Sequence, residues 1–340
     1  MQGVSRSMPG FREALEYAQE MVSQHIAGRR GITRKRAGKS WRYFNPRGRE
    51  ITKPDEIARL DRIGLPPAYC DCWLSPDPDS PIQGIGYDAR GRRQYRYHPD
   101  FRAVQDADKF DRCIEFGRRL PRLRAAVERD LRGEPCDRTT VIAAVIRVLD
   151  ECWIRVGNRA YARANKSFGA TTLLRRHMRI ERSRIRFEFT GKSGKKQAVE
   201  VHDHRVIRIV RKLAMLPGTA VFQYRTAEGV ISGITPADIN AYIQDKIGPS
   251  FSAKYFRTWH ASAGALREAM RLVRRGRQPT VKELAQPVAD ELGNTPAIAR
   301  KSYIHPDVLE AAVSGDLPPS PRPTKWLDPG EKALLSLQDD

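Results

Sequence analysis

Four short stretches of this chain gather the side-chain types that phosphodiester chemistry uses: Arg155-Val156-Gly157-Asn158, Phe189-Thr190-Gly191-Lys192, Lys254-Tyr255-Phe256-Arg257-Thr258-Trp259 and Arg300-Lys301-Ser302-Tyr303-Ile304-His305-Pro306. A phosphodiester is anionic, and its pentacoordinate transition state concentrates charge on the non-bridging oxygens. Fixed guanidinium forks clamp such oxygens, and two arginines, Arg155 and Arg257, suffice for two of them. A tyrosine hydroxyl such as that of Tyr303 has an unperturbed pKa of about 10 and attacks only where nearby positive charge favours the phenolate. The leaving sugar alkoxide needs a proton, which a lysine on a hairpin tip, Lys192, can supply as general acid. Such a set needs no metal, because the arginines neutralise the charge that magnesium handles elsewhere. Plainer readings compete at each position: Arg155 capping helix carbonyls, Lys192 solvated in a turn, Arg257 in a surface ion pair, and Tyr303 as a half-buried packing residue. His305 is near enough in sequence to be read as a base, but geometry decides such roles. His177 reads as a surface or phosphate contact.

Composition sets the partner class. The 340 residues carry 61 Lys and Arg against 40 Asp and Glu, a formal net charge of +21, with 40% hydrophobic residues. That is a chain able to bury real cores, in two domains, rather than a disordered polycation. The positive excess points to a polyanion. Basic membrane helices also carry an apolar Leu and Phe face, and none is found here, so nucleic acid leads. No stretch approaches the roughly 18 apolar residues of a membrane span, and the first ten residues lack an apolar signal core. The expected location is the cytoplasm, in association with the nucleoid. Five cysteines, Cys70, Cys72, Cys113, Cys136 and Cys152, are an odd number in a chain too long to depend on disulfides. Cys70 and Cys72 lack the gap and partners of a zinc knuckle, so no metal site is expected.

These residues must be positioned by a chain of mixed character. Met8 to Ala27 reads as a helix from apolar residues three and four apart. Two hairpins follow, Ser40–Phe44 returning through Arg49–Ile51 and Ile82–Tyr87 returning through Arg92–His98, with a helix at Pro54–Ile63 between them. After Pro99 long amphipathic helices take over, over Asp106–Arg132 and Thr139–Ile154, the second with one buried face of Val141, Val145, Val148, Leu149 and Cys152. A strand pair over Arg184–Val201 interrupts, joined by Gly191 to Lys196. Helices return at Pro236–Ile247, Ala253–Val273 and Thr280–Leu292, the last with capping-box form. From Leu317 the tail reads as a proline-rich spacer ending in a short helix.

In order and spacing, the four stretches, together with Asn165 to Leu173 and Leu292-Gly293-Asn294-Thr295-Pro296, resemble the type IB DNA topoisomerases, in particular the poxvirus-like and bacterial branch. The likeness covers about Gly31 to Leu309. It implies an α+β chain: an N-terminal extension (1–30), a small antiparallel-sheet DNA-binding domain (31–102), a mainly helical catalytic domain carrying a β-hairpin (103–315) and a Pro-rich tail (316–340), closing as a clamp on duplex DNA. It also implies that Tyr303 forms a 3′-phosphotyrosyl link and frees a 5′-hydroxyl strand. Supercoils then relax by swivelling before religation, with no cofactor, neither ATP nor metal, and with the protein a monomer. Arg155, Lys192 and Arg257 take the positions of the family's catalytic Arg, Lys and Arg. Asn294 stands where poxvirus and eukaryotic members carry histidine; its amide can still donate to a phosphate oxygen but cannot carry charge. Thr295 is the expected cap of a helix opened by Pro296, which leaves Asn294 free to face the phosphate. Lys195 and Lys196 share the loop of Lys192 and compete for its role. Gln94, Tyr95 and Tyr97 are the implied groove contacts, with Arg34 in a second matching segment, against the alternative that both tyrosines are sheet core. The competing functions are a tyrosine recombinase or integrase, which uses a similar set on paired sites, and a non-catalytic DNA-binding protein.

Overall fold

The computed structural model describes residues 30–38, 40–319 and 321–339. The helix read over Met8–Ala27 lies outside the described residues. The described chain divides into two compact units, one ending at Lys109 and one beginning at Phe110.

The first unit is a five-stranded antiparallel sheet, β1 (Ile32–Ala37), β2 (Ser40–Phe44), β3 (Cys70–Leu74), β4 (Ile82–Tyr87) and β5 (Arg93–Tyr97), in the order β2-β1-β3-β4-β5. Helix α1 (Pro54–Arg62) supplies Leu60 to a core of Ile32, Tyr43, Leu65 and Leu74. The β4–β5 hairpin agrees with the sequence reading. The first hairpin forms as a short return, with Phe44 bridging Glu50 and the Ile51 amide donating to the Tyr43 carbonyl at 2.8 Å, but the longer partner of β2 is β1, on its other side. Asn45 Oδ1 accepts from the backbone of Arg47 and Arg49 at 2.9 and 3.0 Å, curling that segment into a turn. Strand β1 escapes sequence reading because only Ile32 of its six residues is buried, so cations mask its alternation.

The second unit is mainly helical. Helix α2 (Pro99–Asp130) begins in the last residues of the first unit and continues into this one; it starts at Pro99, earlier than the expected Asp106, a proline being well suited to a first helical turn. Helix α3 (Arg138–Cys152) is buried nearly all round: Thr140 to Ile146, Val148, Leu149 and Asp150 are all inaccessible. The single apolar face expected of it is therefore too narrow, since a helix apolar on all sides belongs in the middle of a core. A short α4 (Arg159–Asn165) leads to a three-stranded antiparallel sheet, β6 (Met178–Ile180), β7 (Ile185–Thr190) and β8 (Lys196–Val201), then to α5 (His204–Leu213) and a small pair, β9 (Gln223–Arg225) and β10 (Ile231–Gly233). The remaining helices are α6 (Pro236–Ile247), α7 (Lys254–Val273), α8 (Val281–Leu292), α9 (Pro296–Ser302), α10 (Pro306–Ser314) and α11 (Pro329–Ser336). Helix α7 is the hub: its Phe256, Trp259 and Leu266 are buried, and α8, α10 and α11 all pack on it. Thr280 caps α8 in the expected reciprocal box with Glu283, its hydroxyl accepting from the Glu283 amide at 3.3 Å. The tail helix α11 is part of this core, with Ala333 and Leu334 wholly buried.

Candidate active site

Arg155 lies just past α3, in a segment that starts where Trp153 turns into the left-handed region (φ 54°) and ends the helix. The backbone of Asn165–Leu173 grips this segment. Ala170 donates its amide to the Arg155 carbonyl at 2.9 Å, and Thr171 donates both amide and hydroxyl to the Val156 carbonyl at 2.8 Å. The approach is so close that a Cβ on Gly169 would stand 2.4 Å from the Arg155 oxygen and 2.7 Å from the Gly157 nitrogen. The Phe168 amide donates to the Thr190 carbonyl at 2.8 Å, at the end of β7. Two stretches some thirty residues apart are thereby joined through one loop.

Beyond Thr190 the hairpin turns at Lys192–Gly194, with Ser193 at φ 63° and the Gly191 amide bonded to the Lys195 carbonyl at 2.7 Å. Lys192, Lys195 and Lys196 are all exposed on this tip. The neck of the hairpin lies against the end of α8: a Cβ on Gly293, which caps α8 at φ 61°, would meet Gln197 Nε2 at 2.5 Å.

Arg257, on the first turn of α7, is 5% exposed and held from behind. Its Nη1 donates to the Trp153 carbonyl and its Nη2 to the Leu292 carbonyl at 2.9 Å. Its Cζ stands 5.1 Å from the centroid of the Tyr303 ring. Tyr303 ends α9; its carbonyl accepts from Ser262 Oγ at 3.1 Å, and Ser262 Oγ in turn accepts from the His305 amide at 2.9 Å. Ser262 thus ties the backbone on both sides of Tyr303 to the helix that carries Arg257. Asn294 follows the Gly293 cap, with Thr295 capping α9 as expected. Asn294 Oδ1 accepts from Arg155 Nη2 at 3.2 Å, which turns the amide nitrogen inward. That Nδ2 and Arg257 Nε are both buried. Both residues also act as donors toward the Tyr303 hydroxyl, so these groups face the one oxygen of the site that could carry charge.

Electrostatics agree with the geometry. Burial alone pushes the Tyr303 phenol up, but Arg257 and Arg155, with Asn294 beside them, outweigh it and hold the group below the ordinary tyrosine value. Burial, followed by repulsion from Arg155, pushes Arg257 down to about 10, which leaves it charged at neutral pH.

Other expected residues fall elsewhere. His305 is buried, and its Nδ1 accepts from the Asp307 amide at 3.3 Å as the cap of α10, a structural use in place of the base role weighed for it. His177 accepts from the Leu174 amide at 3.2 Å and packs edge-on against Phe168, 4.4 Å between centroids. On β5, Tyr95 and Tyr97 share a face, ring centroids 6.1 Å apart, beside Ile85 and Ile82 of β4 and outside the sheet's main core. Gln94 is on the opposite face and donates to Asp88 Oδ2 at 3.2 Å. Arg34 Nη1 and Nη2 donate to the Leu65 and Pro66 carbonyls at 2.7 and 2.6 Å, and its guanidinium stacks 3.9 Å over Trp41. Sequence reasoning missed Ser262, and nothing in a helical serine signals such a role.

A phenol under one guanidinium and in the field of a second is suited to phosphoryl transfer through tyrosine. Comparison with known proteins agrees. Residues 98–312 match the family described as eukaryotic DNA topoisomerase I, catalytic core, and residues 40–88 match the bacterial DNA topoisomerase IB N-terminal domain. The chain is 31% identical over 291 residues to DNA topoisomerase 1B of Acanthamoeba polyphaga mimivirus, covering 82% of this chain and 87% of that one. It is 24% identical over 235 residues to DNA topoisomerase 1B of vaccinia virus (strain Copenhagen), covering 66% and 71%. Among solved structures, a XerH site-specific recombinase in its post-cleavage complex matches at a TM-score of 0.35 and 16% identity, over 57% of this chain and 50% of that one. The chain belongs to the type IB DNA topoisomerases.

Proposed function

We propose that this chain relaxes supercoiled duplex DNA by transient cleavage of one strand at Tyr303, using neither ATP nor metal. The Tyr303 oxygen attacks the scissile phosphorus as its proton passes to solvent. The bond from phosphorus to the 5′-oxygen breaks, a 3′-phosphotyrosyl bond forms, and the departing 5′-oxygen takes a proton from Lys192. Religation is the reverse. Arg155 and Arg257 clamp the non-bridging oxygens, and Asn294 Nδ2 with Arg257 Nε completes the donor set. The observation that carries this reading is Arg257 stacked 5.1 Å over Tyr303, with Arg257 and Asn294 both donors toward the Tyr303 hydroxyl.

The N-terminal sheet, through Gln94, Tyr95 and Tyr97, contacts the groove, the two units close on the duplex as a clamp, and the protein acts as a monomer. Most of the +21 charge serves sequence-independent phosphate contact, so affinity falls steeply with salt. The test is supercoiled plasmid incubated with protein in EDTA without ATP. A ladder of relaxed topoisomers is expected. Tyr303→Phe should bind DNA as the wild type does and yield neither relaxation nor covalent adduct. Recombinant products from paired sites would favour the integrase reading, and binding alone a non-catalytic one.

A further inference from the structure

Past Tyr303 the chain runs through α10 and a proline-rich stretch to α11, and this last helix sends a carboxylate into the core. Glu331 is 2% exposed. Arg124 of α2 grips it with Nη2 at 2.7 Å and Nη1 at 2.8 Å, and Trp259 of α7 donates to it from Nε1 at 2.9 Å. The other edge of the same guanidinium holds Asp150 of α3, Nε and Nη2 each at 2.8 Å from a carboxylate oxygen. Asp150 Oδ1 then meets His260 Nε2 at 2.8 Å. His260 lies flat on the Trp153 ring, 5.3 Å between centroids and 3° from parallel. Trp153 is the residue whose carbonyl holds Arg257 Nη1, and it does so from the left-handed region that bulky residues rarely adopt. Gly264 leaves the room its ring needs, since a Cβ there would stand 3.2 Å from it.

Burying an arginine and two carboxylates costs about as much desolvation as their attraction returns, and apolar residues of similar volume would hold these helices together equally well. What such a network supplies that apolar packing does not is direction: each charge has one place to sit. Here the fixed points run from the last helix of the chain to the carbonyl behind the catalytic arginine.

We propose that Glu331, acting through Arg124, Asp150 and His260, is a positioning residue for Arg257, so that docking of α11 sets the phosphate clamp. The proposal rests on the topoisomerase reading above. Loss of the Glu331 carboxylate lets the Trp153 carbonyl shift and slackens one of the two anchors of Arg257.

The test uses the full chain and single-turnover formation of the covalent adduct on a short duplex that cannot religate, at a temperature where calorimetry shows each variant folded. Glu331→Gln should lower the cleavage rate by about 10- to 100-fold, the scale of small misplacements at a reacting centre, with DNA affinity unchanged. In an Arg257→Ala background the same change should cost no more than about 2-fold, because its route to the phosphate is already gone. His260→Phe keeps a ring on Trp153 but cuts the link to Asp150, and it decides the matter should Glu331→Gln fail to fold; the same loss and the same dependence on Arg257 are expected. Wild-type cleavage by the folded variants overturns the proposal, as does an equal loss with and without Arg257. Absence of adduct with the wild-type chain would instead strike the functional reading itself.

Discussion

The guanidinium of Arg257 lies over the ring of Tyr303, 5.1 Å from carbon to centroid, and is prevented from following the substrate by two carbonyls, those of Trp153 and Leu292. A fixed positive charge beside a phenol favours the phenolate, and in a buried site it does so with little screening by water. In the mechanism proposed above, the nucleophile and one jaw of its clamp are thus a single electrostatic unit.

That unit sets the pH dependence of cleavage. The reactive form is the phenolate, so on the acidic limb the rate rises with pH as the phenol ionises. With the phenol's pKa held below the ordinary tyrosine value, that rise should come at lower pH than for an unperturbed tyrosine. In Arg257→Ala the strongest lowering influence is gone and burial remains, so the inflection should move to higher pH. The rate at neutral pH should also fall by about 10²–10³-fold, as for loss of one charge-stabilising donor. Single-turnover rates across pH measure both; an unmoved inflection sinks this account.

Asn294 should tolerate histidine and reject aspartate. Its Oδ1 is taken by Arg155, and the group it offers is a donor. Asn294→His keeps a donor and should retain most of the cleavage activity. Asn294→Asp replaces the donor by an anion that pairs with Arg155 and repels phosphate, and cleavage should drop by at least about 10²-fold. Comparable rates in the two variants would remove Asn294 from the donor set.

Among the three exposed lysines of the hairpin tip, Lys192 is expected to protonate the leaving oxygen. Lys192→Ala should slow cleavage by about 10²–10⁴-fold on ordinary DNA. A 5′-thiolate leaves without a proton, so the same variant should recover its rate on DNA carrying sulfur at the bridging 5′-position. Recovery in Lys195→Ala or Lys196→Ala instead would transfer the role to that residue.

Gly169→Ala tests the scaffold alone. The added methyl would press on the Arg155 carbonyl and the Gly157 nitrogen, backbone atoms that cannot swing aside. The expected cost is about 1–3 kcal/mol in thermal unfolding. Cleavage should fall as Arg155 is displaced, while DNA binding by the N-terminal sheet persists. Unchanged stability would show that the loop relaxes more easily than its contacts imply.

Much of the architecture could be read from local pattern. The β4–β5 hairpin, α6 and the capping box at Thr280 depend on residues close in sequence, and each stands where the pattern places it. Strand β1 and the all-round burial of α3 did not announce themselves, because a cationic strand with one buried residue shows no alternation and periodicity does not reveal how many neighbours surround a helix.

The site divides along the same line. Residue types and their order, two arginines, a hairpin lysine, an asparagine and a late tyrosine, already select phosphodiester chemistry, since few other reactions call for that set. Only the tertiary structure decided how those types are used. Arg34 binds the Leu65 and Pro66 carbonyls, His305 caps α10, Arg257 is fixed by the carbonyls of Trp153 and Leu292, Ser262 holds the backbone of Tyr303, and the tail helix enters the core through Glu331. Each of these outcomes is a contact between residues far apart along the chain, whose partner is chosen by packing and by the cost of leaving a buried polar group unpaired, and neither quantity is written in any local window of sequence.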